Sequence, residues 1–200
     1  MKAKIYIEGG GNDSKELRVR CRQGFSKLLE SSGFKGRMPQ LIACGGRDSA
    51  YRDFKTANRS DNAEYIAMLV DSEEPVKDPE NVWDHLAERD GWVKPDGCND
   101  GQVFLMTTCM ETWIAADRES LKGNYGSCLR ESALPSLHNI EEKNRHDIQE
   151  CLRSATSGCT NKYQKNKRSF EVLGRLNPKV LDENLKSFSR MRRILNEELK

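Results

Sequence analysis

The sequence is short of the features that announce a function directly. No apolar run approaches the ~20 residues that a membrane-spanning helix requires, so the chain is expected to keep off the membrane. No secretory leader opens it, which predicts that it stays inside the cell. No two cysteines have the C-x-x-C spacing of zinc ribbons or dithiol redox sites. There is no G-x-G-x-x-G and no glycine loop ending in G-K-S or G-K-T, which ranks a nucleotide-binding loop low. Internal repeats and low-complexity tracts are missing as well. The formal net charge is only +2, so bulk electrostatics alone does not mark a nucleic-acid binder.

What is present is an ordinary globular chain with an uneven charge distribution. Its 200 residues suffice for one domain, or one with a small appendage, to bury a core. Hydrophobic residues make up 36% and charged ones 32%, which predicts a wet surface around that core. Basic residues gather in the first helical segment (Lys15, Arg18, Arg20, Arg22, Lys27) and again from Lys162 to Arg193, while residues 71–100 are acidic. Basic flanks around an acidic middle suit a polyanion at the rim and metal ions at the centre. The seven cysteines are odd in number. Cys21, Cys44 and Cys109 fall in apolar patterns and read as buried thiols, which predicts a reducing cytoplasm. Cys98, Cys128, Cys151 and Cys159 with His138 and His146 have spacings that match no standard zinc site.

Hydrophobic periodicity lays out the fold. Lys4–Ile7, Leu41–Cys44, Tyr65–Val70 and Val103–Thr107 are short, almost wholly apolar runs with strand character. Between them lie helical patterns: one capped by Ser14 and ended by Gly33, one over 48–58, and one over 81–89. A further helix begins near Cys109. Apolar strands alternating with helices imply an α/β fold, a mainly parallel four-stranded sheet covered on both faces. Beyond Leu121 the character changes. Residues 133–154 look helical, 161–168 form a basic run, 169–176 a short helix, and 180–199 a last amphipathic helix. This predicts an α/β core over 1–120 and a helical C-terminal extension over 121–200 packed on it.

In such sheets ligands bind at the carboxyl ends of the strands. Glu8 ends the first strand and runs into Gly9, Gly10 and Gly11. Asp71 and Glu73 follow the third strand, and Glu111 lies just past the fourth. Carboxylates gathered from separate segments repel one another and persist where cations neutralise them; hard oxygen ligands suit magnesium or manganese. Two such ions can promote phosphodiester cleavage. Glycines let the backbone come close to a phosphate. Simpler readings stand beside these. Asp71, Glu73 and Glu74 can be solvated loop acids, Glu111 a favourable acid at a helix N-terminus beside a core Trp113, and the basic residues a solvated face.

A strand ending in glutamate and glycine, followed by an apolar strand ending in acid-x-acid, resembles the Toprim superfamily of topoisomerases, primases, recombination mediators and overcoming-lysogenization-defect type nucleases. The segments that carry the resemblance are IYIEGGG (5–11), LRVRCRQGF (17–25), ACGGRDSAYRDF (43–54), LVDSEEPV (69–76), TTCMETWIAAD (107–117) and YQKNKRSFEVL (163–173). Within the superfamily the chain is similar to a small bacterial branch encoded beside ATPase genes in phage-defence loci. The resemblance implies a Rossmann-like Toprim fold and a magnesium- or manganese-dependent nuclease, the effector of an ATPase-associated antiviral defence system. Glu8, Asp71, Glu73 and Glu111 would bind metal, with Glu73 standing where the superfamily has a second aspartate. Lys165 and Lys167 would lie near the scissile phosphate, and Gly9–Gly11, Arg18, Arg22 and Arg47 would contact DNA or RNA. A non-catalytic Toprim module that binds a partner ATPase or nucleic acid is the other implied role.

Overall fold

Strands β1 (Ala3–Glu8), β2 (Gln40–Gly45), β3 (Tyr65–Asp71) and β4 (Val103–Met106) pair in the order β2-β1-β3-β4. Every pairing is parallel. They belong to a computed structural model that describes residues 3–11, 14–59, 64–166 and 168–200. All seven residues of β3 are buried, as expected for an inner strand covered on both faces. The fold is therefore α/β and Rossmann-like, with one four-stranded parallel sheet.

The helices are α1 (Lys15–Leu29), α2 (Arg47–Asn58), α3 (Val82–Asp90), α4 (Met110–Ala116), α5 (Arg118–Tyr125), α6 (Arg145–Ala155), α7 (Ser169–Leu173), α8 (Pro178–Asn184) and α9 (Lys186–Glu198). One core cluster joins Ile5, Ile7 and Phe104 to Phe25, Trp113, Leu152, Phe170 and Phe188. The other joins Met68, Val70 and Leu105 to Ala50, Phe54, Trp83 and Leu86. So α1 and the C-terminal helices cover one face, and α2 and α3 the other. Right-handed crossovers require this split, because β1 to β2 moves one way across the sheet and β2 to β3 returns past β1. The reversal leaves a crevice between the carboxyl ends of β1 and β3.

Local chemistry explains where the elements begin and end. The Ser14 side chain accepts from the Leu17 N–H at 3.2 Å and caps α1, as the sequence implies. The long helix expected over 133–154 is cut short. Only Arg145–Ala155 is helical, starting where the Asn144 side chain accepts from His146 N at 2.8 Å. Pro135 and the left-handed Asn139 (φ 49°) lie in irregular chain before it. The last amphipathic stretch is two helices. Leu185 is extended (φ −130°, ψ 106°), and the first N–H groups of α9 are taken by the Glu141 carboxylate, at 2.7 Å for Lys186 and 3.1 Å for Ser187.

Two packing details matter below. Helices α1 and α7 touch at Gly24, where a Cβ would lie 2.4 Å from the Phe170 carbonyl oxygen. From α9, the buried Arg190 donates to Val103 O at 2.8 Å and to Asp100 O at 2.7 Å, so a C-terminal side chain closes the start of edge strand β4. Cys21, Cys44 and Cys109 are buried free thiols, as their apolar settings predict. Burial pushes Cys21 and Cys44 up to about 12. Cys128 and Cys159 are joined as a disulfide, against the expectation of a reducing compartment. That also removes both from any zinc ligand set.

Candidate functional site

The three glycines after Glu8 answer to backbone geometry. Gly9, Gly10 and Gly11 all have positive φ, at 141°, 89° and 64°. Such angles are costly for residues with a Cβ. Gly9 exchanges two hydrogen bonds with Gly45, at 2.8 and 3.0 Å, which ties the ends of β1 and β2 together. A Cβ on Gly10 would fall 2.7 Å from the Arg18 Cα. The run therefore lets α1 pass directly under the carboxyl end of β1.

That turn leaves Glu8 facing the end of β3. Its Oε2 accepts from the Asp71 N–H at 3.1 Å. The Asp71 carboxylate accepts in turn from Met110 N at 2.8 Å, at the start of α4. Carboxylate oxygens of Glu8, Asp71 and Glu73 all lie within 4.8 Å of one another. Glu111 is fully buried on the same side. Tyr163 OH donates to its Oε1 at 2.8 Å, and Gln149 Nε2 to its Oε2 at 3.4 Å. Glu8, Gly9, Gly11, Asp71, Glu111 and Lys165 line one cleft of about 220 Å³. A larger cleft of about 510 Å³ lies beside α3, between Glu74 and Arg89. The larger one is lined by Glu74, Asp78, Asp84 and Glu88, all exposed, whereas the acids of the smaller one are shielded from water, so burial rather than volume selects it.

The electrostatics mark Asp71 as the centre. Burial, and then the charges of Glu8 and Glu111, hold its carboxyl well above the usual carboxylate range, against the pull of Lys165 and the Met110 N–H. Glu8 is also raised, by burial, with Arg47 and the Asp71 N–H opposing. Lys165 offsets only part of the crowding at Asp71. A cluster of hard oxygen donors whose charged forms burial and mutual repulsion disfavour fits a divalent cation such as magnesium or manganese.

Several residues singled out in the sequence are placed otherwise. Arg47 turns inward instead of reaching for a phosphate. It grips Asp90 with two bonds, at 3.2 and 2.5 Å, donates to Asp71 O, and lies 4.7 Å over the Trp92 ring. It thus fixes the ends of β1 and β3 from below. Glu73 approaches the acidic cluster, but its own partners are Arg89, at 3.5 Å, and Arg145. Arg18 donates to Gly11 O at 3.4 Å and steadies the glycine turn. Arg22 is exposed on α1. Lys165 lines the cleft, and Lys167 lies outside the described residues.

A family model, a domain of unknown function (DUF4276), matches residues 13–196. The chain belongs to the DUF4276 family. Comparison with curated proteins and with solved structures gives no match. The DUF4276 span takes in Asp71, Glu73, Glu111 and Lys165, while Glu8 precedes it.

Reading the sequence alone did not assign site roles to Asp90, Trp92, Arg145, Gln149 and Tyr163 in this DUF4276 protein. Asp90 ends α3 and Arg145 begins α6, each with the sign the helix dipole disfavours; the partners that offset this, Arg47 and Glu73, come from distant segments. Tyr163 and Gln149 became visible only when α6 and the segment before α7 were packed against α4.

Proposed function

We propose that this DUF4276 protein is a metal-dependent nuclease that hydrolyses phosphodiester bonds in DNA or RNA. The observation that carries the proposal is the meeting of Glu8, Asp71 and Glu73 oxygens within 4.8 Å at the switch point of a parallel sheet. The resemblance of IYIEGGG and LVDSEEPV to Toprim segments supports it. Glu8 and Asp71 would hold magnesium or manganese, with Glu111 completing the charge behind them. A divalent cation there supplies Lewis-acid polarisation of a phosphoryl oxygen and eases deprotonation of water. The residues of the chain do the rest. Glu8, whose carboxyl burial holds above its ordinary range, is suited to take a proton from the attacking water. Lys165, which lines the cleft, would offset charge on the scissile phosphate. Gly9 and Gly11 line the same cleft with their backbone.

The resemblance also supports a partner ATPase, a setting in antiviral defence and a cytoplasmic location. No helix among the described residues is long and apolar enough to cross a membrane. Five free cysteines agree with a reducing compartment, and the Cys128–Cys159 pair weighs against it. One observation favours the second reading, a non-catalytic module: Arg47, Arg89 and Arg145 already pair with the acids around the cleft. A magnesium and manganese titration by thermal shift, on wild type beside Asp71→Ala, separates the two. A rise in Tm that the variant loses, followed by cleavage of single- or double-stranded DNA or RNA, is the expected result. No rise in either protein, and no cleavage of any of the substrates, overturns the nuclease reading.

A further inference from the structure

Glu73 occupies an unusual position. Its backbone is left-handed (φ 68°), which few residues other than glycine adopt, and its N–H is tied to Thr108 O at 2.8 Å. One of its carboxylate oxygens, Oε2, meets two guanidinium groups from different parts of the chain, Arg89 near the end of α3 and Arg145 at the start of α6. All three side chains are largely shielded, 26% exposed for Arg89, 20% for Arg145 and 17% for Glu73. Glu73 is also crowded by Glu8 and Asp71, so its neighbours on the acidic side push it away. The arginines hold it, Arg89 also donating to Asp90 through its other terminal nitrogen, and neither arginine uses its Nε. The Nε atoms of Arg89 and Arg145 are both buried without a hydrogen-bond partner among the described residues. A buried unpartnered donor costs free energy, so each fork has capacity to spare.

We propose that Arg89 and Arg145 form a phosphate-binding pair, and that the Glu73 carboxylate is an internal stand-in for a substrate phosphate. This deepens the nuclease reading and rests on it for the identity of the ligand, a phosphate group of a nucleic acid. Guanidinium forks recognise carboxylate and phosphate oxygens by the same geometry. A phosphodiester carries one negative charge, as Glu73 does, so exchanging one for the other leaves the local charge unchanged. A phosphate also offers more acceptor oxygens than the single Oε2 now shared. Displaced, Glu73 moves toward Glu8 and Asp71, where added negative charge favours a cation. Phosphate and cation binding would then strengthen each other by the same factor.

The test is calorimetric titration with inorganic phosphate, in chelator and with no divalent cation, of wild type, Glu73→Gln and the double variants Glu73→Gln/Arg145→Gln and Glu73→Gln/Arg89→Gln. Removing the stand-in charge is expected to tighten phosphate binding by about tenfold, equivalent to about 1.4 kcal/mol. Each double variant is expected to lose that gain. Unchanged or weaker binding by folded Glu73→Gln overturns the proposal, as does a gain that survives in both double variants. If Glu73→Gln does not fold, the Nε–H resonances of Arg89 and Arg145 in wild type provide the readout. They are expected to shift with phosphate, and no shift overturns the proposal. Because these titrations contain no metal, their failure leaves the Asp71 metal titration standing, and the reverse also holds.

Discussion

Gly24 gives two rules opposite signs, so its replacement is informative. In a helix interior, alanine is ordinarily more stable than glycine by about 0.5–1 kcal/mol, because the unfolded chain has less freedom to lose. Gly24 lies inside α1, and helix propensity alone therefore predicts that Gly24→Ala stabilises the protein. The packing says otherwise. The added Cβ would lie 2.4 Å from Phe170 O and 3.2 Å from Phe170 Cα, both backbone atoms that no side-chain rotation can move. The first contact must open by about 0.6 Å to reach even 3.0 Å, the limit of real Cβ contacts. Overpacking of this kind costs about 1–3 kcal/mol. After the propensity gain the net loss lies within about 0–2.5 kcal/mol, centred near 1.2. At about 2–4 °C per kcal/mol for a chain of this length, that central value lowers Tm by roughly 2–5 °C. Thermal unfolding followed by circular dichroism, with urea denaturation as a second measure, reads the change. A Tm at or above the wild-type value would refute the packing argument. Since α7 follows Lys165 and Asn166 at the cleft, the same variant is expected to bind divalent cation less tightly.

Three further outcomes follow from the site and its surroundings. The folded pKa of Asp71 lies above its unfolded value, so the stability linked to this carboxyl is present below the unfolded value and lost as pH rises through the folded one. In chelator at about pH 7.5, Asp71→Asn, whose amide oxygen still accepts from Met110 N, is therefore expected to raise Tm; an unchanged or lower Tm in thermal shift would contradict the assigned burial. Tyr163→Phe leaves the fully buried Glu111 without its 2.8 Å donor and should cost about 1–3 kcal/mol by urea denaturation, whereas an unaltered midpoint would show that Glu111 is served by other groups. Cys128→Ser opens a link across 31 residues and should cost about 3–4 kcal/mol in oxidising buffer while removing any response to dithiothreitol; equal stability of the two proteins would show that the bridge adds nothing.

The sequence showed the sheet more clearly than the site. Four apolar runs flanked by glycines and acids yield four strands, because a strand buried on both faces has to be apolar almost throughout. Ser14 likewise declared the start of α1. The elements after residue 130 were less legible. Leu185 interrupts a continuous helical period because Glu141, distant in sequence, takes the N–H groups of α9. No periodicity in 180–199 contains that information. Within the site, Glu8 and Asp71 could be placed by the rule that strand ends collect ligands. Arg47 could not, because its type fits a phosphate as well as it fits Asp90, and only the packing of α2 against α3 and Trp92 decides between them. Glu73 shows the same limit. Its spacing from Asp71 was visible, while its engagement by Arg89 and Arg145 depends on two helices that the spacing does not mention.

The tie from Arg190 to the start of β4 bears on how the chain comes off the ribosome. Strands β1, β2 and β3 can pair, and Glu8 can meet Asp71, when less than half of the chain has emerged. The side chain that takes the Val103 and Asp100 carbonyls, however, is made 90 residues after Asp100. Until then the open edge of β4 is a template for any other strand nearby. Chains stalled or clipped before α9 would thus display the acidic crevice on an unsealed sheet, and they should be recovered as aggregates or in chaperone complexes instead of as a shorter working protein.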